Sequence, residues 1–308
     1  MSTSTTSPSA WFITGCSPGG LGHHLALQLL SLDPPVPVIV SSRNPSNLDD
    51  LVKKGAQAIQ WDVSDDEDVL GKKAREIDAM VDGGVAVVVN NAGLARYASA
   101  EESDFSDFRL QFETNFFGLV KTTRAFLPLF RSRKTGTCVN ISSVAGFSGG
   151  AGYSAYAAAK YAVEGFSESL AKEVAHLGIR VLVVNPGFFR TNFLASETSH
   201  AVGPIEDYLP ITRPLEEFFT AYAGKQPGDP ALGGQAIIDV VLARGHAKGI
   251  EWTSGQEAAE RLLLGPDAVA LMQGAVERRS KEVEKWKVIS EGTDLEEVKE
   301  EKRKQAAK

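Results

Sequence analysis

The chain has 308 residues, of which 43% are hydrophobic and 23% charged, and its formal net charge is −7 at pH 7. That balance excludes a chain disordered throughout, a collagen and a coiled coil, and it allows a substantial core. The acidic balance argues against a nucleic-acid binder, which needs a basic face for the phosphate backbone.

Residues 1–10 form a polar tail expected to be disordered. The tail has no basic segment leading into an apolar core, so no secretory signal is expected there. Trp11 to Thr14 reads as a short apolar strand running into glycines, and Leu21 to Leu32 has helical apolar spacing. Asp33-Pro34-Pro35 breaks that helix before the β-branched run Val36 to Ser41. Val85 to Asn90 is a further apolar run, bounded by Asp82-Gly83-Gly84 and Asn91-Ala92-Gly93. Residues 104–131 read as one long helix with a bend at Pro128, and Thr137 to Ile141 as a strand. Residues 153–177 form an alanine-rich helix, and Ile179 to Val184 a strand closed by Asn185-Pro186-Gly187.

Short strands rich in Val and Ile, without polar alternation, call for a sheet buried on both faces. Their alternation with helices predicts an α/β fold, a Rossmann-type doubly wound parallel sheet flanked by helices. The expected division is one domain over 11–250 with a charged helical C-terminal extension over 251–308. Within the domain, residues 192–232 carry five prolines among aromatics and read as an irregular substrate loop or lid. Residues 233–247 return to a helical pattern. The mixture of Glu and Lys from Glu277 to Lys308 reads as a solvated helix fading into a frayed tail.

Cys16 and Cys138 are too few for a disulfide framework and sit in hydrophobic, strand-like segments, so they read as reduced packing residues. The five histidines do not fall at metal-ligand spacing, and no metal is expected. No apolar run reaches the roughly 18 residues of a membrane span. The expected compartment is the cytoplasm, where the sequon at Asn140 has no consequence.

Residues 12–22 read Phe-Ile-Thr-Gly-Cys-Ser-Pro-Gly-Gly-Leu-Gly, after a strand and at the opening of a helix. Glycines there let the backbone turn sharply and approach a pyrophosphate, while the helix N-terminus offers free N–H donors. This segment resembles the Thr-Gly-x-x-x-Gly-x-Gly turn of the short-chain dehydrogenase/reductase family. Thr14 and Gly15 fit its start and Gly20-Leu21-Gly22 its end, with one extra residue between them, either Pro18 or Gly19. Which of Gly19 and Gly20 lies against the phosphates stays open at this stage. Other family segments recur in order: Asn90-Asn91-Ala92-Gly93, Asn115 within Glu-Thr-Asn-Phe-Phe-Gly, Ser142-Ser143 after a strand, Tyr156-x-x-x-Lys160, and Pro186-Gly187 followed by Thr191. The resemblance covers residues 11–195 well, 196–250 loosely and 255–308 not at all.

Tyr156 and Lys160, four apart on a helix, share a face. A tyrosine ionises near ~10 and a lysine near ~10.4, and a fixed ammonium beside the phenol favours phenolate. Lowering the tyrosine to about 7 needs roughly 4 kcal/mol, within reach of a low-dielectric site. Tyr156 can then serve as the acid/base, and Ser143 can hold the substrate oxygen. The resemblance makes Asn115, Ser143, Tyr156 and Lys160 the catalytic set, with Asn115 holding a water linked to Lys160 and Lys160 also holding the nicotinamide ribose. It makes Thr14, Gly15, Ser17, Gly20, Leu21 and Gly22 the phosphate turn. Further cofactor contacts would be Arg43, Asp62, Val63, Asn91, Ala92, Gly93, Tyr156, Lys160, Pro186, Gly187, Phe189 and Thr191. Asp62 could otherwise cap the helix that follows it.

The second strand ends in Ser41-Ser42-Arg43, where an NAD enzyme usually places a carboxylate against the ribose hydroxyls. Arg43 suits a 2′-phosphate by charge and fork geometry, so NADP(H) is the expected cofactor. Phe147, Tyr153, Phe188 and Phe193 would line the substrate site, a wall suited to an apolar carbonyl compound. The expected function is NADP(H)-dependent reduction of an apolar ketone or aldehyde. The alternatives are an NAD-dependent alcohol dehydrogenase of the same family and an inactive NADP(H)-sensing protein. Family members pack through the helix carrying the tyrosine, which implies a homodimer or homotetramer.

Overall fold

The computed structural model describes residues 10–194, 204–252, 255 and 257–306. Most of the expected N-terminal tail and residues 195–203 of the expected lid lie outside the described residues. The strands are β1 (Ala10–Ile13), β2 (Val38–Ser42), β3 (Gln57–Gln60), β4 (Val85–Asn90), β5 (Gly136–Ile141), β6 (Ile179–Pro186) and β7 (Glu260–Leu264). All pairings are parallel, in the order β3-β2-β1-β4-β5-β6-β7. The fold is therefore the doubly wound α/β sheet that the strand–helix alternation predicts.

Between the strands run α1 (Leu21–Leu30), α2 (Asp49–Val52), α3 (Glu67–Ala79), α4 (Phe105–Phe112), α5 (Gly118–Arg133) and α6 (Ser154–Val174). Then come α7 (Leu209–Tyr222), α8 (Pro230–Val241), α9 (Pro266–Glu291) and α10 (Glu296–Ala306). No described helix is long and apolar enough to cross a membrane.

Successive strand residues point to opposite faces of a sheet, so the apolar runs feed two cores. On one face Trp11, Ile13, Val40 and Val89 pack with Leu25 and Leu29 of α1 and with Ile237 and Ile238 of α8. On the other, Phe12, Val88 and Val183 pack with Phe126 and Phe130 of α5. The Phe12 ring stands 5.0 Å from Trp61 and 5.1 Å from Phe126. Cys16 and Cys138 are free and fully buried, and burial pushes both thiols up to about 12.

Four expectations are corrected. The sheet does not stop at residue 250: β7 pairs with β6, from Leu182 against Glu260 to Pro186 against Leu264. Residues 251–308 are thus not a purely helical appendage. The segment 192–232 is not irregular throughout, because α7 occupies Leu209–Tyr222. Pro210 stands in its first turn, where a missing N–H costs nothing. The helix expected over 104–131 is interrupted at Glu113–Phe117 by a π turn, while Pro128 lies inside a continuous α5.

Candidate active site

The chain runs outward through β1, β2 and β3, then returns to β4 on the other side of β1. Ligands of such sheets lie outside the carboxyl ends of the strands at that switch point. A cavity of about 910 Å³ opens there.

The turn after β1 is held from β4. The Thr14 hydroxyl accepts from the backbone N–H of Asn91 and of Ala92, both at 3.0 Å. The Asn91 amide donates to the carbonyls of Thr14 at 2.9 Å and Gly15 at 2.8 Å. Gly15 sits at φ +70°, and a Cβ there would stand 2.7 Å from the Ala92 Cα. The turn thus needs glycine for both conformation and space. A Cβ on Gly22 would meet the Asn91 amide at 2.5 Å. Thr14 and Gly22 therefore shape the turn from behind and, contrary to expectation, do not line the cavity.

Gly15, Ser17, Pro18, Gly20 and Leu21 do line it. Of the two glycines left open by the sequence, Gly20 faces the cavity and caps α1, donating its N–H to the Ser17 carbonyl at 3.0 Å. Gly19 has φ +75° and faces Asn192, whose amide donates to the Pro18 carbonyl at 3.0 Å. The extra residue of the turn is where the segment after β6 docks.

At the far end, Ser42 and Arg43 line the cavity after β2. Asp50 turns away to His23, 2.6 Å from its Nε2. Asp62 lines the cavity and accepts from Ser64 N–H at 2.9 Å and its hydroxyl at 2.7 Å. Partial burial works to raise the Asp62 carboxyl, but the Ser64 bonds with Arg43 and Lys73 hold it below its ordinary range. Asp62 does not cap α3; the residue at that N-cap is Asp66. Val63, Asn91, Ala92 and Gly93 complete this side.

Tyr156 and Lys160 project from α6 into the cavity and are 7% and 5% exposed. The Lys160 ammonium lies 5.7 Å from the Tyr156 ring centroid and donates to the Ile141 carbonyl at 2.9 Å. Burial lowers Lys160 from its ordinary value to about 8, against the pull of Glu164. Ser143 follows β5 and also lines the cavity; its hydroxyl accepts the Ala145 N–H at 3.2 Å, which caps the turn Val144–Gly146. Asn115 is buried off the cavity. Its side chain exchanges two bonds with Leu94, accepting at 2.9 Å and donating at 2.8 Å. The π turn presents Asn115 to the strand end after β4.

Pro186, Gly187, Phe188, Phe189, Thr191 and Phe193 form one wall with Tyr153, and Leu94, Arg96, Leu110 and Glu113 also line the cavity. Phe193 and Tyr156 have ring centroids 6.3 Å apart. Phe219 of α7 packs against Tyr97 at 5.0 Å and Tyr153 at 5.6 Å. Phe147 is the exception among the expected substrate residues, buried and outside the lining.

Sequence reading missed three groups here. Glu164, one turn beyond Lys160, accepts from Asn185 at 2.6 Å and from Arg261 of β7 at 2.8 Å. Its place four residues after Lys160 was a usable signal. Asp267 of α9 accepts the Phe188 N–H at 2.7 Å, and Arg279 donates to the Phe147 carbonyl at 3.1 Å. No motif marks those two.

A glycine turn at the start of α1, a cation after the second strand and a buried Tyr-Lys pair share one cavity, the arrangement that a dinucleotide-dependent oxidoreductase needs. A family model described as short chain dehydrogenase matches residues 9–201. The oxidoreductase BOA17 of Botryotinia fuckeliana is 35% identical over 286 residues, covering 91% of this chain and 97% of that protein. The NADPH-dependent 1-acyldihydroxyacetone phosphate reductase of Schizosaccharomyces pombe is 30% identical over 262 residues, covering 81% and 87%. A crystallised short-chain dehydrogenase from Streptomyces avermitilis superimposes with a TM-score of 0.79 at 35% identity, covering 93% of this chain and all of that one. The chain belongs to the short-chain dehydrogenase family of oxidoreductases.

Proposed function

We propose that the protein uses NADPH to reduce the carbonyl of an apolar ketone or aldehyde, with Tyr156 as the proton donor. The observation that carries this reading is one cavity with Ser143, Tyr156 and Lys160 at one end and Arg43 at the other. The residues fit the cofactor: Gly15 and Gly20 line the cavity with bare backbone where α1 begins. Arg43 would hold a 2′-phosphate, and no cavity-lining carboxylate at the end of β2 competes for ribose hydroxyls. The fission-yeast relative is named for NADPH, which supports the same preference. When bound, the cofactor supplies a hydride.

The chain's own residues then do the rest. The Ser143 hydroxyl holds the substrate oxygen, and the Tyr156 phenol gives that oxygen its proton. The Lys160 ammonium stabilises the phenolate left behind. The Asn115 side chain exchanges two bonds with Leu94, and Asn115 would hold the water linked to Lys160. The aromatic wall of Tyr153, Phe188 and Phe193 excludes water and favours an apolar substrate. We further place the catalytic unit over residues 10 to about 279, because β7 and the first half of α9 touch this site.

The test is NADPH and NADH consumption over a panel of ketones and aldehydes. Wild type is expected to prefer NADPH by about 10–100-fold, as a charge-assisted phosphate contact requires. Tyr156→Phe is expected to bind NADPH and turn over at least about 100-fold more slowly, the scale of lost acid catalysis. Equal use of NADH removes the Arg43 assignment. An active Tyr156→Phe removes the mechanism.

A further inference from the structure

The two loops bounding the site are tied to one helix that lies beyond the family match. The loop after β6 opens with Gly187 and Phe188; the loop after β5 carries Ser143 to Ser148. Both line the cavity. Asp267, in the first turn of α9, accepts the Phe188 N–H at 2.7 Å. It also fills the space beside Gly187, where any Cβ would strike the carboxylate. From the other side the Gly228 N–H donates to the Phe188 carbonyl at 3.0 Å, so both polar groups of that residue are held.

Further along α9, Arg279 donates to the Phe147 carbonyl at 3.1 Å and to the Tyr161 hydroxyl at 3.3 Å. Arg278 donates to the Ser148 hydroxyl at 3.2 Å. Ala268 and Ala275, 0% and 1% exposed, seat the helix between these points. Small side chains on that face let it lie close. Asp267 and Arg279 are separated by about 18 Å of continuous helix at 1.5 Å per residue. A helix is stiff over that length, so the two loops cannot part or approach without breaking one of these ties.

We propose that α9 is a brace that sets the width of the active-site mouth, with Asp267 and Arg279 as its positioning residues. The proposal rests on the carbonyl-reductase reading for its consequence, substrate discrimination by bulk. Phe147, expected to touch substrate, instead offers its carbonyl to the brace. The alternative for these contacts is ordinary surface packing, which would stabilise the fold without favouring one loop geometry.

Hydrogen exchange on the free protein separates the two, with no need for turnover. In Asp267→Ala the Phe188 amide is expected to exchange about 10–100-fold faster, the loss of one charge-assisted bond. Asp267→Asn keeps an acceptor and is expected to stay within about threefold of wild type. Arg279→Ala is expected to loosen residues 144–148 and leave β1 and β4 unchanged. Faster exchange spread evenly over β1 and β4 as well, or none at Phe188, overturns the brace.

With NADPH and a series of ketones of rising bulk, both alanine variants are expected to shift kcat/KM toward the bulkier members. The shift is expected to reach about tenfold, with Asp267→Asn restoring the wild-type order. Active variants with an unchanged bulk preference also overturn the brace. A wild type that consumes neither cofactor overturns the reductase reading instead, while the exchange data still decide whether α9 holds the loops.

Discussion

Lys160 meets opposite demands from stability and chemistry. Its ammonium is buried, which disfavours charge, yet the proposed reaction needs that charge beside Tyr156. Burial lowers Lys160 to about 8, so the folded protein releases a proton that the unfolded chain keeps until near ~10.4. Stability therefore rises with pH between those values, and below about 8 both states hold the proton and the contribution is absent. Urea unfolding of wild type against Lys160→Met is expected to show a relative gain for wild type of about 2 kcal/mol between pH ~7.5 and ~9.5. The variant is expected to be the more stable of the two at pH ~7.5 and inactive. A flat difference across that range shows that Lys160 is not buried as a charge. At this scale the family motifs made the cavity-facing residues legible, because each chemistry needs a particular side chain at a particular spacing. Asp267, Arg261 and Arg279 were not legible, since a carboxylate or guanidinium that meets a loop through long-range folding leaves no local pattern.

The elements divide in the same way. Strands β1, β2, β4, β5 and β6 are buried on both faces, so their apolar runs show in the sequence. β3 reads Gln-Ala-Ile-Gln at the sheet edge, where partial exposure removes the signal. β7 lies at the opposite edge and opens with Glu260 and Arg261, which a composition-based reading assigns to the charged extension. α7 was hidden by its prolines, although Pro210 sits where a helix tolerates it. The placement of α7 gives it a testable role. Phe219, 3% exposed, holds α7 against Tyr97 and Tyr153, and Tyr153 lines the substrate end. Phe219→Ala is expected to lower unfolding stability by about 3 kcal/mol through the cavity it leaves. It is expected to raise KM for the carbonyl by about tenfold and change NADPH affinity by less than about twofold, because the glycine turn and Arg43 are untouched. Equal losses in both affinities indicate that α7 supports the whole cavity rather than its substrate end.

At the scale of the molecule, the C-terminal fifty residues contain two different things. β7 and the start of α9 complete the sheet and hold the loop at Phe188, whereas the end of α9 and most of α10 stand in solvent. Val283, Trp286, Val288 and Ile289 are exposed at 64%, 51%, 85% and 65%, so the distal part of α9 buries little apolar surface within this chain. Its Lys281–Glu277 pair is exposed, as is Lys302–Asp294 beyond it, and pairs of that kind stabilise a fold little. Truncation should therefore have a sharp threshold rather than a gradual cost. A chain ending at residue 292 is expected to keep its unfolding stability within about 0.5 kcal/mol and to keep full NADPH turnover, as changes to an exposed surface do. A chain ending at residue 255 loses β7 and the salt bridge from Arg261 to Glu164, and leaves the β6 edge open along Leu182 to Pro186. Open apolar strand edges pair with other chains, so this protein is expected to aggregate. Expression of the two truncations, followed by gel filtration and thermal unfolding, reads out the difference. A stable, monodisperse chain ending at 255 shows that β7 is dispensable to the fold, and loss of activity at 292 moves the edge of the working domain into α10.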